Sequence, residues 1–355
     1  MSLVAHGIGG VRDLPVPAWL FYWGAAVVLV LSFVALGLLW QQPLLQRHAA
    51  GRDLGDALSR LVLGPLRLAG QILSVTLFAL VWAAALIGDT DPLRNLAPTW
   101  VYVVFWLGVP ALTVVLGNVW RALSPWRALA DAFVWVWEAS GRQARPLAVY
   151  PERLGRWPGA AALCAFTVFE LAYADPASPR ALAFAIAVYT YLTLCGMVAF
   201  GREAWSERGE AFAVLFSYLA RIAPFHPEDG RIRLRWPLTG LAGAEHVPGS
   251  LAFVAVMLGS VAFDGYSRTT TWQDLVARAE GPYIVDRPGL AELVGTGLAV
   301  WGLLAAVALV AVAYNAACAG AGWLVNAPRP LQPEFLLSLV PIAFVYELAH
   351  YFSLF

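Results

Sequence analysis

Lysine is absent from this 355-residue chain, cysteine occurs three times, and charge of either sign is scarce at 13% of residues. Ordinary soluble domains carry about 25% charged residues. Half that amount leaves too little polar surface to coat a globule of this size, which excludes a soluble enzyme, a nucleic-acid binder and a disordered tail. The 23 basic residues, all arginine, balance 23 acidic ones, so nothing points to an anionic polymer as partner. Cys164, Cys195 and Cys318 lie far apart inside apolar runs and read as small packing residues, not as a disulfide frame or metal knuckle.

What is abundant is apolar: 60% hydrophobic residues, a mean hydropathy of +0.67 and 16 tryptophans. About 20 apolar residues are needed to cross roughly 30 Å of hydrocarbon. On that measure the sequence predicts one all-α membrane domain over 1–355, a polytopic helix bundle of about eight spans. They cover 17–40, 66–88, 98–117, 157–174, 180–200, 247–266, 289–315 and 335–355. The first has no basic flank or small-residue cleavage site and reads as a span, not a signal peptide. Gly108 and Pro110 are expected to kink the third, and Gly295 and Gly297 to permit close helix approach in the seventh. Trp19, Trp23, Trp40, Trp82, Trp100, Trp157 and Trp323 sit near span ends, as interfacial anchors do.

Three further apolar stretches, 126–139, 211–225 and 272–279, are too short or too striped to cross and read as interfacial helices, the second least clearly. With the N-terminus outside, the inner loops hold 17 arginines and the outer ones 6, so the positive-inside rule selects that orientation. The last run ends at Phe355 with no charge to hold it at the interface, which leads to the expectation that the natural chain continues.

In such a chain the informative residues are ionisable groups inside apolar spans, where a charge costs a few kcal/mol or more unless paired, solvated or used. Glu170, Asp264, Glu347 and His350 qualify, and the topology puts all four in the outer third of spans four, six and eight. His6 joins them from the glycine-rich opening AHGIGGVRD, which also carries Asp13. Glu347 and His350 are spaced i, i+3, the Glu-x-x-His spacing of carboxylate-bridged metal sites in helix bundles. His6, Glu347 and His350 are therefore candidate ligands of one zinc, manganese or iron ion that leaves a position open for water. The same residues also suit a metal-free polar cluster, the simpler reading, or a proton or ion path. On the inner side, Arg121 and Arg127 flank a Ser-Pro-Trp turn, a lipid-phosphate or partner site in one reading and plain basic anchors in the simpler one. No phosphate loop, nucleophile elbow, haem motif, CxxC pair or internal repeat is present.

The opening AHGIGGVRDLPVPAWLFYWGAAVVLVLSFVALGLLW, the turn NVWRALSPWRAL and the closing PIAFVYELAHYF resemble bacterial integral membrane proteins identified as fenitrothion hydrolases. The resemblance implies a membrane hydrolase that cleaves an apolar organophosphorus triester at the phosphorus–aryloxide bond, reached through the outer leaflet. Combined with the cluster, it gives a reaction in which a metal-activated water attacks phosphorus. Asp264 or Glu170 acts as general base or orients a histidine, and Tyr266 or Tyr346 assists the leaving group. Two rival classes stand beside it. One is a non-catalytic subunit of a larger respiratory or metal-handling membrane complex, or a homo-oligomer, using its aromatic surface for membrane-protein partners. The other is a proton- or ion-coupled transporter.

Overall fold

The computed structural model describes residues 18–39, 44–47, 51–228 and 230–351. Helix makes up 74% and strand 3%. The helices that matter below are α1 (Ala18–Leu39), α2 (Asp56–Ile87), α3 (Leu96–Leu116), α4 (Pro125–Ala139), α5 (Trp157–Leu171), α6 (Pro179–Phe200) and α7 (Arg202–Arg208). They continue with α8 (Ala211–Leu219), α9 (Ser250–Ser267), α10 (Thr270–Glu280), α11 (Pro288–Leu324) and α12 (Leu339–Tyr351). Five of them, α2, α3, α6, α9 and α11, are long and apolar enough to cross a membrane. The protein is thus a helical membrane protein.

Of the other three expected spans, α1 matches this group in length and α5 and α12 do not. α1 is a 22-residue apolar helix whose described side chains are all exposed, as suits lipid contact. α5 has 15 residues and α12 has 13. At 1.5 Å per residue these reach only about 22 and 20 Å, short of the hydrocarbon thickness. Pro158 starts α5 and Ala172 ends it, which the hydropathy pattern alone does not register.

α8 overturns an expectation. Instead of lying in the headgroup plane it is the most buried helix among those described, with Ala211, Val214, Phe216, Tyr218 and Leu219 fully enclosed. An interfacial helix needs a polar face, and the sequence AFAVLFSYL has none. Around it pack Phe105, Trp106, Trp120, Trp126 and Phe166, with ring centroids 4.7–6.4 Å apart, mostly edge-on or tilted. These buried tryptophans are core residues, whereas Trp19, Trp23, Trp157 and Trp323 are exposed near helix ends as anchors should be. α4 does show the amphipathic pattern, burying Pro125, Trp126 and Arg127 and exposing Phe133, Trp135 and Val136.

Gly108 and Pro110 do not break α3. The helix winds continuously through them, in wide π turns over Trp100–Gly108 that give way to α turns from Val109. Close approach between α9 and α11 is made by Gly259, where a Cβ would stand 2.6 Å from the Val307 Cα; Gly297 has open space around it.

Strand appears where none was expected. β1 (Arg52–Asp53), β2 (Phe225–Glu228) and β3 (Arg231–Leu234) form an antiparallel sheet in the order β1-β3-β2, with Phe225 opposite Leu234 and Glu228 opposite Arg231. Gly230, at φ 75°, occupies the turn between β2 and β3. The dipeptide Asp229-Gly230 before the alternating Arg-Ile-Arg-Leu is a hairpin signal in the sequence. Arg231 pairs with Asp53 at 2.7 Å and Asp56 at 3.0 Å, fastening the hairpin to the start of α2.

Candidate functional site

Two of the helices, α5 and α9, start from one knot of polar groups that also holds the lead-in to α12. The Arg156 amide, at the start of α5, donates to the Pro248 carbonyl at 2.7 Å. Its guanidinium donates to Ser250 Oγ at 3.2 Å and to the Tyr218 hydroxyl, and pairs with Glu245 at 3.1 Å. Glu245 also pairs with Arg221 at 3.0 Å, and its amide donates to the Pro333 carbonyl at 2.9 Å, which ties in the approach to α12. With their entry ends joined, the two helices carry their far ends to a common level. Glu170 lies 13 residues after Trp157, Asp264 14 after Ser250, and Glu347 14 after Pro333. At helical rise, Glu170 and Asp264 each stand about 20 Å from the knot. Glu170 lies within electrostatic reach of Glu347, and Ser260, one turn before Asp264, lines the same cavity as Glu347.

Glu347 is the informative member. It is 9% exposed, and its Oε1 has no hydrogen-bond partner. It lines a cavity of about 20 Å³, with Thr167 of α5, Ser260 of α9 and apolar walls from Trp106, Leu163, Leu215 and Met257. That volume suits one water-sized guest. Thr167 Oγ1 donates to the Cys164 carbonyl at 3.0 Å and Ser260 Oγ to the Met257 carbonyl at 3.3 Å. Each hydroxyl has a carbonyl acceptor on its own helix and keeps lone pairs open to the cavity. With Glu170 within electrostatic reach of Glu347, the cavity is matched to a proton or a small cation and mismatched to an anion.

Asp264 follows Ser260 by four residues and so shares its face of α9. It is buried, and its Oδ1 accepts from the Arg268 guanidinium at 3.2 and 3.3 Å. Tyr266, two residues on, is 48% exposed and packs its ring on Trp272 at 5.6 Å, away from the cavity. Tyr346 is exposed as well. His6 and Asp13 lie outside the described residues. His350 continues α12 three residues after Glu347, and only its backbone is described. Among the described residues no group of three or more His, Cys, Asp or Glu side chains is arranged to hold a metal ion.

A second buried carboxylate shows what a satisfied one looks like. Glu210 caps α8, accepting from the Phe212 and Ala213 amides at 2.9 and 2.8 Å, from Trp120 Nε1 at 3.4 Å and from the Tyr189 hydroxyl. Four donors meet Glu210 and none meets Glu347 Oε1, so Glu210 is a structural group and Glu347 a functional candidate. Sequence reasoning missed Glu210, Arg268, Thr167 and Ser260. The last two had a signal, since each is a polar residue three or four positions before an intramembrane carboxylate on the same helix.

Comparison with protein-family models, with curated proteins and with solved structures gives no match for this chain. Its function must be argued from the site itself.

Proposed function

We propose an integral protein of the bacterial inner membrane that crosses the bilayer eight times with its N-terminus outside, the short α5 and α12 crossing where the bilayer thins around the bundle, and in which Glu347 binds and releases a proton or a small cation in the outer half of the membrane. The observation that carries this reading is the unpartnered Glu347 Oε1 in a water-sized cavity that Thr167 and Ser260 also line. A buried polar atom left without a partner costs roughly 1–3 kcal/mol, so it persists where a ligand completes it. Such a group is the working part of a proton- or cation-coupled membrane protein. Infrared difference spectra across a pH jump are expected to show a carboxyl band that disappears in Glu347→Gln. Spectra identical in the two proteins, with no cation-dependent change, sink the proposal.

Ester hydrolysis is the second reading, favoured by one observation: helical backbone runs unbroken through Glu347 and His350, which puts the pair on one face. His6, Glu347 and His350 would hold a divalent ion, and the orphaned Glu347 oxygen fits a ligand role. The chemistry such an ion supplies is acidification of a water and polarisation of a phosphoryl oxygen. Glu170 adds negative charge beside Glu347, while Asp264, held by Arg268, supports the rim of the site. A water-sized cavity does not admit a triester, so the ester would meet Glu347 from the lipid side. Elemental analysis of gently purified protein, together with nitrophenol release from fenitrothion, tests this. Sub-stoichiometric metal, or full hydrolysis by His350→Ala, ends the reading.

A further inference from the structure

At the arginine-rich end a second constellation remains unused by that site. Four guanidiniums from four elements meet two carboxylates. Arg67 of α2 and Arg202 of α7 reach Asp131 of α4, the first at 3.7 Å. Arg121, from the turn before α4, reaches Glu203 at 3.6 Å, Arg202 reaches it at 3.4 Å, and Arg127 of α4 is hydrogen-bonded to it. Gln71 adds a neutral donor to Asp131 at 3.2 Å. Four positive charges against two negative leave two unbalanced at one spot. Donors are also left over: Arg127 is 6% exposed, and its Nε, like that of Arg202, is buried without a partner. The N-terminus of α4, capped by Ser124, adds its dipole to the same place.

The cluster is built to be reached from the membrane surface. Arg121 and Arg67 side chains are 59% and 39% exposed. Leu66 and Leu68 beside Arg67 face outward, as do Phe133, Trp135 and Val136 farther along α4. Guanidinium donors thus stand next to an apolar, aromatic surface suited to acyl chains.

We propose that Arg67, Arg121, Arg127 and Arg202 form a binding site for a phosphate oxyanion at the inner membrane face, supplied by the headgroup of an anionic phospholipid. The surplus charge calls for an anion, guanidinium forks fit phosphate oxygens, and the adjoining apolar face fits a molecule whose other end is hydrocarbon. The site is independent of Glu347, which lies at the opposite end of the bundle.

The test uses the full chain in nanodiscs containing spin-labelled phosphatidylglycerol or spin-labelled phosphatidylcholine. A motionally restricted fraction is expected that favours phosphatidylglycerol and weakens about fivefold for each of Arg67→Gln and Arg121→Gln, the size expected of one arginine at a charged surface. Arg94→Gln, at an exposed outer position, should leave it unchanged. Inorganic phosphate in the buffer separates the sources. Failure to displace the lipid assigns the site to headgroups, whereas full displacement keeps the oxyanion site and assigns it to the free ion. Equal retention of the two lipids, or equal loss in Arg94→Gln, overturns the proposal.

Discussion

At the scale of single residues the protein contrasts two buried glutamates. Glu210 stops α8 from fraying and satisfies Tyr189 and Trp120 as well, so Glu210→Ala removes a cap and strands two buried donors. A loss of about 3 kcal/mol is expected, read from the thermal unfolding of detergent-solubilised protein. Glu347→Gln breaks no hydrogen bond at Oε1 and should stay within about 1 kcal/mol of the parent while abolishing the carboxyl band. Glu347 was legible in the sequence because charge is so rare in an apolar run. Glu210 was not, since it reads as an ordinary loop residue and its donors arrive from helices 21 and 90 positions away. Glu203 yields a pH prediction. Partial burial pushes its carboxyl up, but the hydrogen bond and charge of Arg127, with Arg121 and Arg202, outweigh that and hold it below its usual 4.5. A depressed carboxyl contributes stability that is present above 4.5 and is lost as pH falls through the lowered value. The melting temperature is therefore expected to drop on the acid side, and more shallowly in Glu203→Gln.

Among elements, composition distinguished α4 from α8 less well than shape did. Both were expected at the interface, yet only α4 has charged residues opposite its aromatic ones. α8 lacks any polar face and sits at the centre, where α5, α3 and α12 close around it. Short length argued against a span, and burial inside protein is the other way a short apolar helix satisfies its surface. The α9–α11 contact depends on Gly259, because the Val307 backbone occupies the place of its missing side chain. Gly259→Ala should cost about 1–3 kcal/mol by forcing two packed helices apart. Gly297→Ala, in open space, should cost nothing measurable in the same melting assay, and equal losses would refute this packing account. The hairpin carried a readable signal in Asp229-Gly230, but four-residue strands inside an arginine-rich loop contribute little hydrophobic pattern.

For the molecule as a whole, orientation is the prediction to test. In a background with Cys164, Cys195 and Cys318 replaced by alanine, a cysteine at Asp274 in α10 should react with a membrane-impermeant maleimide added outside intact cells. One at Arg231 in β3 should react only after permeabilisation. The reverse pattern would invert the topology and move the Glu347 site to the inner half.

The sequence by itself determined the medium, the helical class and which carboxylates fall inside apolar runs. Each follows from how many charges there are and where they fall along the chain. Tertiary structure decided which carboxylate is satisfied and which is not, that α8 belongs to the core, and that four arginines share two acids. Those outcomes depend on donors and acceptors brought together from distant helices, and hydrogen-bond satisfaction in a dry interior is a property of neighbours in space.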